Sequence, residues 1–351
     1  MAADGPVTRD TGNAQALWYT GKQECRLEPA AVVSGAGDVV VQSVFSGISR
    51  GTEGLVFRGE VPMSEWQRMR APFQEGSFPF PVKYGYANVG RVLEGDPDLE
   101  GRVVFSLFPH QSVFALPSAS CVPVPDGIPA ERAVLAANME TALNALWDGK
   151  PSPGDHICVV GGGVVGLLTA YVAARLPGSR VTLVDTNQAR AGIADAFGLD
   201  FALPEDAPRD QDLVFHTSAT SAGLATALAA AGDGTSVVEL SWYGANQVQA
   251  PLGADFHCRR LKLVSSQVGT IPLERQARWT YRRRLETALT LLDDPVLDRL
   301  ISHRLPFQSL ADRVPEVLNK TSDVLAAVVQ YDGGINRVSH PKTDKHDFSG
   351  R

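Results

Sequence analysis

The chain has 351 residues, a length that fits two domains of ordinary size, and its 44% hydrophobic and 20% charged residues are the composition of a soluble globular protein. Its 32 basic residues are outnumbered by 39 acidic ones, and the net charge of −7 leaves no basic footprint for nucleic acid. No apolar run is long enough to span a bilayer, residues 1–6 carry no secretory signal, and Cys25, Cys121, Cys158 and Cys258 are too scattered for a disulfide framework or a zinc knuckle, so a cytoplasmic protein without membrane partners is expected.

The first fifteen or so residues and the tail from Asp332 onward are polar and without periodicity, which predicts loose ends. From about 16 to 125 short β-type runs alternate with turns, as at 38–44, 89–94 and 102–106, punctuated by Pro79, Pro81, Pro109, Pro117, Pro123 and Pro125. That style predicts a small β-barrel. It changes near Pro129, where residues 130–146 are alanine-rich and helix-like. Runs at 157–160, 180–184, 212–216, 235–240 and 261–265 then read as buried strands with helices between them, the alanine helix before the fourth being stopped at Gly232 and Gly234. Alternating strands and helices require a parallel sheet with right-handed crossovers. A helix over 274–292 and a late strand at 324–331 close the pattern. The basic run Arg282-Arg283-Arg284 in that helix reads as a solvated face or a subunit contact.

Gly161-x-Gly163-x-x-Gly166 lies between a predicted strand and a predicted helix, the context in which this spacing binds a dinucleotide. Gly161 permits the tight turn, Gly163 presents no side chain to a pyrophosphate, and Gly166 lets the helix pack on the strand. Val164 and Val165 open that helix, whose free N–H groups and partial positive charge face the phosphates. Asp185 ends the second strand, where a carboxylate accepts from a ribose 2′-hydroxyl and repels a 2′-phosphate. NAD is therefore expected over NADP. Arg190, a helical turn later, is expected to face solvent. The alternative is a glycine-rich connection that holds no ligand.

The order of parts resembles the medium-chain dehydrogenase/reductase superfamily, over residues 16–331 or so. Phe80-Pro81-Val82-Lys83-Tyr84-Gly85-Tyr86-Ala87-Asn88-Val89-Gly90-Arg91-Val92 resembles the segment that carries Gly-His-Glu in its zinc alcohol dehydrogenases; Gly101-Arg102-Val103-Val104 resembles the Gly-Asp-Arg-Val strand, and Val124-Pro125-Asp126-Gly127-Ile128 the linker before the dinucleotide domain. The resemblance implies an α/β fold: a GroES-like β-barrel catalytic domain from residues 1–137 and 271–351, and a doubly wound Rossmann domain from 138–270. It also implies chemistry in the cleft between them and a homodimer joined through the sheet edge near 249–256.

The family's zinc positions fall on Ser49, on Tyr86 with Ala87 as the acid's counterpart, and near Ala137-Asn138, none of them a good ligand set. A fallback pair, Glu53 and His110, is too few. No zinc is expected. Ser49-Arg50-Gly51-Thr52-Glu53 with Gly-Tyr in place of Gly-His resembles the zinc-free branch typified by bacteriochlorophyllide a hydroxyethyl dehydrogenase, which oxidises a secondary alcohol with NAD; Ala87 departs from its usual acid. Without a metal, hydrogen-bond donors must steady the substrate oxygen. Tyr86 is the first candidate, against a plain core aromatic. Thr52 and Glu53 are candidates for proton relay, Glu53 being also a loop brace. His110 is a candidate shuttle, against a solvated loop histidine. Arg50 matches a position that pairs with the pyrophosphate, and Thr141 one near the nicotinamide. Lys83 and Tyr84 read as bystanders. Trp66, Met63 and Met69 lie in an insertion-like segment, 60–76, that covers a bulky or aromatic small-molecule substrate or simply packs.

Three functions compete on this reading: a zinc-independent secondary alcohol/ketone oxidoreductase using NAD(H), an NAD(P)H-dependent enoyl or quinone reductase of the same fold, and a non-catalytic dinucleotide-binding protein.

Overall fold

The strand Asp38–Ile48 carries Val39, Val40, Val41 and Val44 into the core and is the spine of the β-rich part. In a computed structural model that describes residues 7–9 and 14–332, it pairs antiparallel with Asn88–Glu94, with Val113–Pro117 and with the late strand Ala326–Gln330. The predicted loose ends lie almost entirely outside the described residues. The sheet runs Val122–Pro123, Val103–Ser106, Asn88–Glu94, Asp38–Ile48, Ala326–Gln330, Ile301–Pro306. A four-stranded sheet, Glu24–Pro29, Gln15–Gly21, Val82–Lys83 and Glu75–Gly76, packs beside it. The chain therefore returns to its first sheet after leaving it for almost two hundred residues.

The middle of the chain makes a six-stranded, wholly parallel sheet ordered Asp200–Ala202, Arg180–Val184, His156–Val160, Gln211–His216, Ala231–Glu239, Lys262–Ser265. The order reverses between His156–Val160 and Gln211–His216, so a crevice opens beyond their carboxyl ends, where such sheets bind ligands. One apolar cluster runs from Ala87, Val89 and Phe105 of the first sheet through Ala133, Ala137 and Met139 to Ile157, Leu167 and Phe215 of the second. That shared core fixes the two parts against each other. The α/β fold with a barrel and a doubly wound sheet is as expected.

Four local expectations need correction. The segment 130–146 is two helices, Ala130–Ala133 and Ala136–Gly149, because Leu135 between them turns at ψ −3. The helix over 274–292 is also two, Leu273–Gln276 and Tyr281–Thr290; Thr280 is extended there and its hydroxyl accepts from Arg283 N, the ordinary start signal of a new helix. Gly232 and Gly234 do not stop the alanine helix. Helix Ser221–Ala230 passes straight into strand Ala231–Glu239, which contains both, with Gly234 at φ +72 marking an irregular stretch.

The basic run is the fourth. Arg284 is 2% exposed, neither a solvated face nor a subunit contact. Its guanidinium donates to Glu140 Oε1 at 2.9 Å, Asn144 Oδ1 at 2.6 Å and Val268 O at 2.6 Å, pinning helix Tyr281–Thr290 onto helix Ala136–Gly149. Removing one member of a buried pair strands the other charge. Arg284→Met is expected to cost about 3–5 kcal/mol in urea unfolding, and Arg284→Met with Glu140→Leu to recover much of it; equal stability of Arg284→Met and the parent would show the pair to be idle.

Candidate active site

Strand His156–Val160 ends in the glycine turn, and the turn opens helix Val164–Ala173. Gly161 sits at φ +115, outside the range of ordinary residues. A Cβ on Gly166 would lie 1.9 Å from Gly161 O, so the helix seats on the strand only with glycine there. A Cβ on Gly163 would meet nothing within 4 Å, which leaves open space in front of the helix N-terminus where Val164 and Val165 begin. The residues thus provide a cradle that fits a pyrophosphate.

Asp185 lies against the turn, accepting from Gly162 N at 2.5 Å and Asn187 N at 2.7 Å. Arg190 is not simply solvent-facing. Its Cγ is 3.1 Å from where a Gly162 Cβ would stand, beside Asp185, and the residue is half-buried. Across the cleft stands Arg50, whose pKa is lowered first by burial and then by the charge of Arg190. Arg50 also donates to the carbonyls of Val317, Asn319, Ser322 and Val324, which holds its helix to the returning chain. The two cations, one from each part, are near enough for the charge of Arg190 to be felt at Arg50. Thr141 is half-buried and spends its hydroxyl on Ala137 O at 3.0 Å in its own helix.

Ser49 caps helix Arg50–Phe57, and Tyr86 lies just before strand Asn88–Glu94. The structure brings them together: Tyr86 OH donates to Ser49 Oγ at 2.5 Å. Burial pushes the Tyr86 phenol up, the hydrogen bonds of Ser49 and Thr52 pull it down, the Glu53 charge pushes it up again, and the net shift is upward. Tyr86 is therefore a protonated donor through neutral and alkaline pH. Thr52 is half-exposed in the same corner.

Glu53 and His110 are also brought together, but inside the protein. Glu53 is 0% and His110 1% exposed. Glu53 accepts from Tyr19 OH at 2.7 Å and Ser49 N at 2.7 Å, and its Oε2 lies 3.0 Å from His110 Nε2. His110 Nδ1 meets Ser46 Oγ at 2.7 Å, and Ser46 meets Tyr331 OH at 2.9 Å. His110 is thus not a solvated loop histidine, and Glu53 is a brace of the Ser49 turn. Lys83, read as a bystander, is buried and donates to Glu75 and Gln111. Tyr84 is buried in the apolar core, its ring edge-on to that of Tyr86. In the 60–76 segment Trp66 packs on the barrel core, Met63 is 75% exposed and Met69 Sδ lies 4.0 Å from Gln267 Nε2 of the parallel-sheet part.

Sequence reasoning missed two groups. Thr217 Oγ1 donates to Gly161 O at 2.8 Å and locks the turn. His216, at the end of its strand, lies 2.6 Å from Glu239 Oε2 and 2.7 Å from Ser218 Oγ, and Tyr243 OH donates to Glu239 at 3.0 Å. A polar residue ending a buried strand was the available signal.

No family model matches the chain. D-guloside 3-dehydrogenase of Escherichia coli K12 is 25% identical over 287 residues, 73% of this chain and 81% of that protein. The 2-desacetyl-2-hydroxyethyl bacteriochlorophyllide A dehydrogenase of Rhodobacter capsulatus is 29% identical over 205 residues, 54% of this chain and 60% of that one. The solved L-idonate 5-dehydrogenase of Escherichia coli superposes with a TM-score of 0.74 at 15% identity, covering 93% of this chain and 99% of its own. These likenesses support the resemblance to the medium-chain dehydrogenase/reductase superfamily. Two further structures of the fold carry cofactors: a short chain alcohol dehydrogenase of Escherichia coli CFT073 with NADH (TM-score 0.72, 15% identity, 91% of this chain and 100% of that one) and a dehydrogenase of Sinorhizobium meliloti 1021 with NADP (0.71, 17%, 91% and 100%).

The superfamily's zinc does not fit the residues present. The positions that would ligate it hold the hydroxyls of Ser49 and Tyr86 and the side chain of Ala137 or Asn138, and among the described residues no three His, Cys, Asp or Glu side chains converge.

The two glycines separate folding from binding. Gly166→Ala is expected to unfold about 1–3 kcal/mol more easily through its clash with Gly161 O. Gly163→Ala is expected to keep the parent's urea midpoint and bind NADH roughly tenfold more weakly or worse in a fluorescence titration. Undiminished NADH binding by Gly163→Ala would remove the pyrophosphate from this turn.

Proposed function

We propose that the chain is a zinc-independent oxidoreductase that interconverts a secondary alcohol and a ketone with NAD(H). The observation that carries this reading is the 2.5 Å Tyr86–Ser49 pair, a hydrogen-bond donor set standing where zinc-dependent members place ligands. When bound, the nicotinamide supplies a hydride acceptor or donor. The chain's own residues do the rest. The Gly161–Gly166 turn and the helix N-terminus hold the pyrophosphate, Asp185 receives the ribose hydroxyls, Arg50 adds positive charge from the barrel side, and Thr141 borders the nicotinamide. With substrate present the Ser49 hydroxyl turns to donate to the phenol oxygen, which frees the one Tyr86 hydrogen for the substrate oxygen as negative charge grows on it, and Thr52 helps to orient the phenol. Glu53 and His110 hold Ser49 in place from within.

Arg190 beside Asp185 is the one observation that favours NADPH, since a guanidinium there can pair with a 2′-phosphate; Asp185, already nearer the turn, supports NADH. Similarity to relatives that act on sugar-derived and bacteriochlorophyllide alcohols supports an alcohol substrate, and the exposed Met63 with Trp66 and Met69 suits a bulky one. The unpaired outer edge of strand Lys262–Ser265, with Leu263, Leu252 and Val248 exposed, is where a second copy of the chain would add. Leu263→Asp is then expected to convert a dimer to a monomer in sedimentation velocity; an unaltered dimer would place the contact elsewhere.

The principal test uses protein stripped of metal by chelation, assayed with NADH and NADPH against a panel of ketones and conjugated enones. Ketone reduction with NADH by metal-free protein is expected. Tyr86→Phe is expected to lower kcat by about 10²–10³ with NADH affinity unchanged. The raised Tyr86 pKa predicts no loss of rate from this group below the ordinary tyrosine value of about 10. A stoichiometric metal required for turnover overturns the zinc-free reading, enone-only activity selects the enoyl or quinone reductase, and binding without any turnover selects the non-catalytic protein.

A further inference from the structure

Tyr86 is a donor with no base behind it. Its hydroxyl meets Ser49, and Ser49 reaches Glu53 through a backbone N–H, which carries no proton onward. Among the described residues no side-chain hydrogen bond leads from Ser49 or Thr52 to the buried Glu53–His110 pair. Oxidation of an alcohol releases one proton in addition to the hydride, and among the described residues of the barrel no side-chain hydrogen bond carries it from Tyr86 to a base.

The parallel-sheet side has one. His216 and Glu239 end adjacent strands on the same side of the sheet as the glycine turn, and Thr217, the next residue, is the one that clamps Gly161. His216 is 0% exposed. Its Nδ1 lies 2.6 Å from Glu239 Oε2 and its Nε2 2.7 Å from Ser218 Oγ. Ser218 is half-exposed and continues to Thr220 Oγ1 at 3.0 Å, at the start of helix Ser221–Ala230. Tyr243 OH donates to the same Glu239 Oε2 at 3.0 Å, and Ser241 N donates to the other oxygen, Oε1, at 2.8 Å. The loop that carries Tyr243 crosses to the barrel, where Trp242 packs into its core and Ala245 N donates to Glu60 O at 2.9 Å, next to the end of the helix that Ser49 begins. Trp242 and Tyr86 pack against the same apolar cluster of the barrel, so the loop beside Glu239 meets the part of the barrel that carries Tyr86.

We propose that His216 is the proton acceptor of this cleft, reached through the Ser218 hydroxyl and backed by Glu239, with Tyr243 as a positioning residue for Glu239. The assignment rests on the oxidoreductase reading above. In alcohol oxidation the substrate C–H bond breaks as hydride leaves with its electron pair for the nicotinamide, and the substrate O–H bond breaks as its proton passes to Ser218 Oγ. Ser218 gives its own hydrogen to His216 Nε2 and is left unchanged. The imidazolium is held by ionised Glu239 until it discharges to solvent; ketone reduction runs the same steps backward. The arrangement suits this direction of charge. Burial pushes the Glu239 carboxyl up, but the hydrogen bond and charge of His216 and the bonds from Ser241 hold it below its ordinary value. Tyr243 stays protonated, its pKa raised by burial and by Glu239. Glu239 from the neighbouring strand and Tyr243 from the loop are the titratable groups that face the imidazole, with the hydroxyls of Ser218 and, beyond it, Thr220 on its other side.

The test needs no substrate. The full chain is titrated by calorimetry with NAD⁺ and, separately, with NADH, each in two buffers of different ionisation enthalpy and at several pH values around neutrality. The positive nicotinamide of NAD⁺ disfavours a neighbouring imidazolium, so NAD⁺ is expected to release protons on binding while NADH releases far fewer. That difference is expected to vanish in His216→Gln, to move to lower pH in the isosteric Glu239→Gln, and to persist in Ser218→Ala. Equal proton release by NAD⁺ and NADH, or a difference unaltered in both His216→Gln and Glu239→Gln, overturns the assignment while leaving the cofactor reading intact. Failure of both forms to bind the parent chain overturns the cofactor reading, and this assignment with it. Glu239→Gln keeps the question open to decision should His216→Gln fail to fold.

Discussion

Everything at the cleft depends on one close approach, that of helix Val164–Ala173 to the end of strand His156–Val160. Gly166 leaves room for Gly161 O where any side chain would stand 1.9 Å from it. Seating the helix this deeply aims its first N–H groups at the open space over Gly163, and it puts Asp185 within reach of Gly162 N. Thr217 adds a side-chain lock from the next strand over. Gly161 takes φ +115 without strain because it lacks a Cβ, and it is held there by its N–H donating to Val184 O and its carbonyl accepting from Thr217, at the ends of the two neighbouring strands. Loosening that contact would disperse the phosphate cradle, the Arg50–Arg190 pair and the His216 strand end together.

Facing this turn, the proposed site sets a phenol where zinc-dependent members place a metal ligand. A metal polarises an oxygen without any proton to account for, whereas a phenol must be held protonated and aimed. The structure meets both demands with burial. Tyr86 is kept neutral by its apolar surroundings and is fixed by Ser49, and Ser49 is fixed by Glu53. A carboxylate buried as completely as Glu53 is tolerable only because Tyr19, Ser49 N and His110 surround it. The His110–Ser46–Tyr331 branch ties that set to the returning chain, so the strand formed last in sequence supports the turn formed first.

The glycine turn and its parallel sheet were legible because their constraints are local. A backbone that must adopt positive φ or admit a helix at van der Waals contact leaves a glycine in the sequence whatever surrounds it. The barrel's zinc-position residues were legible only through resemblance, since nothing about Ser49 and Tyr86, 37 residues apart, announces a shared hydrogen bond. Arg284 was misread for the converse reason. Three consecutive arginines look like surface, and burial of the third depends on Glu140 and Asn144, some 140 residues earlier. Helix breaks were missed at Thr280 because apolar periodicity continued across it, although a threonine that caps a helix is itself a boundary signal. His216 and Glu239 escaped notice because each ends an apolar run singly; only the parallel register that sets them side by side makes them a pair.

That register has a consequence for how the two parts share the work. In the proposed reading the donor to the substrate oxygen stands on the barrel, whereas the buried imidazole and its carboxylate stand on the parallel sheet. Charge that develops on one wall of the cleft would be answered from that wall, and a departing proton received on the other. Such a division demands that the two walls keep a fixed spacing, because a hydrogen bond weakens steeply over a few tenths of an ångström. The apolar cluster running continuously from Val89 and Phe105 through Met139 to Phe215 supplies that rigidity at the base. The Tyr243–Ala245 loop, tied to Glu60, supplies it at the rim. Under the metal-free reading no ion acts as a common anchor, so the two walls must be fixed by packing, and here the packing is the part of the structure that joins them.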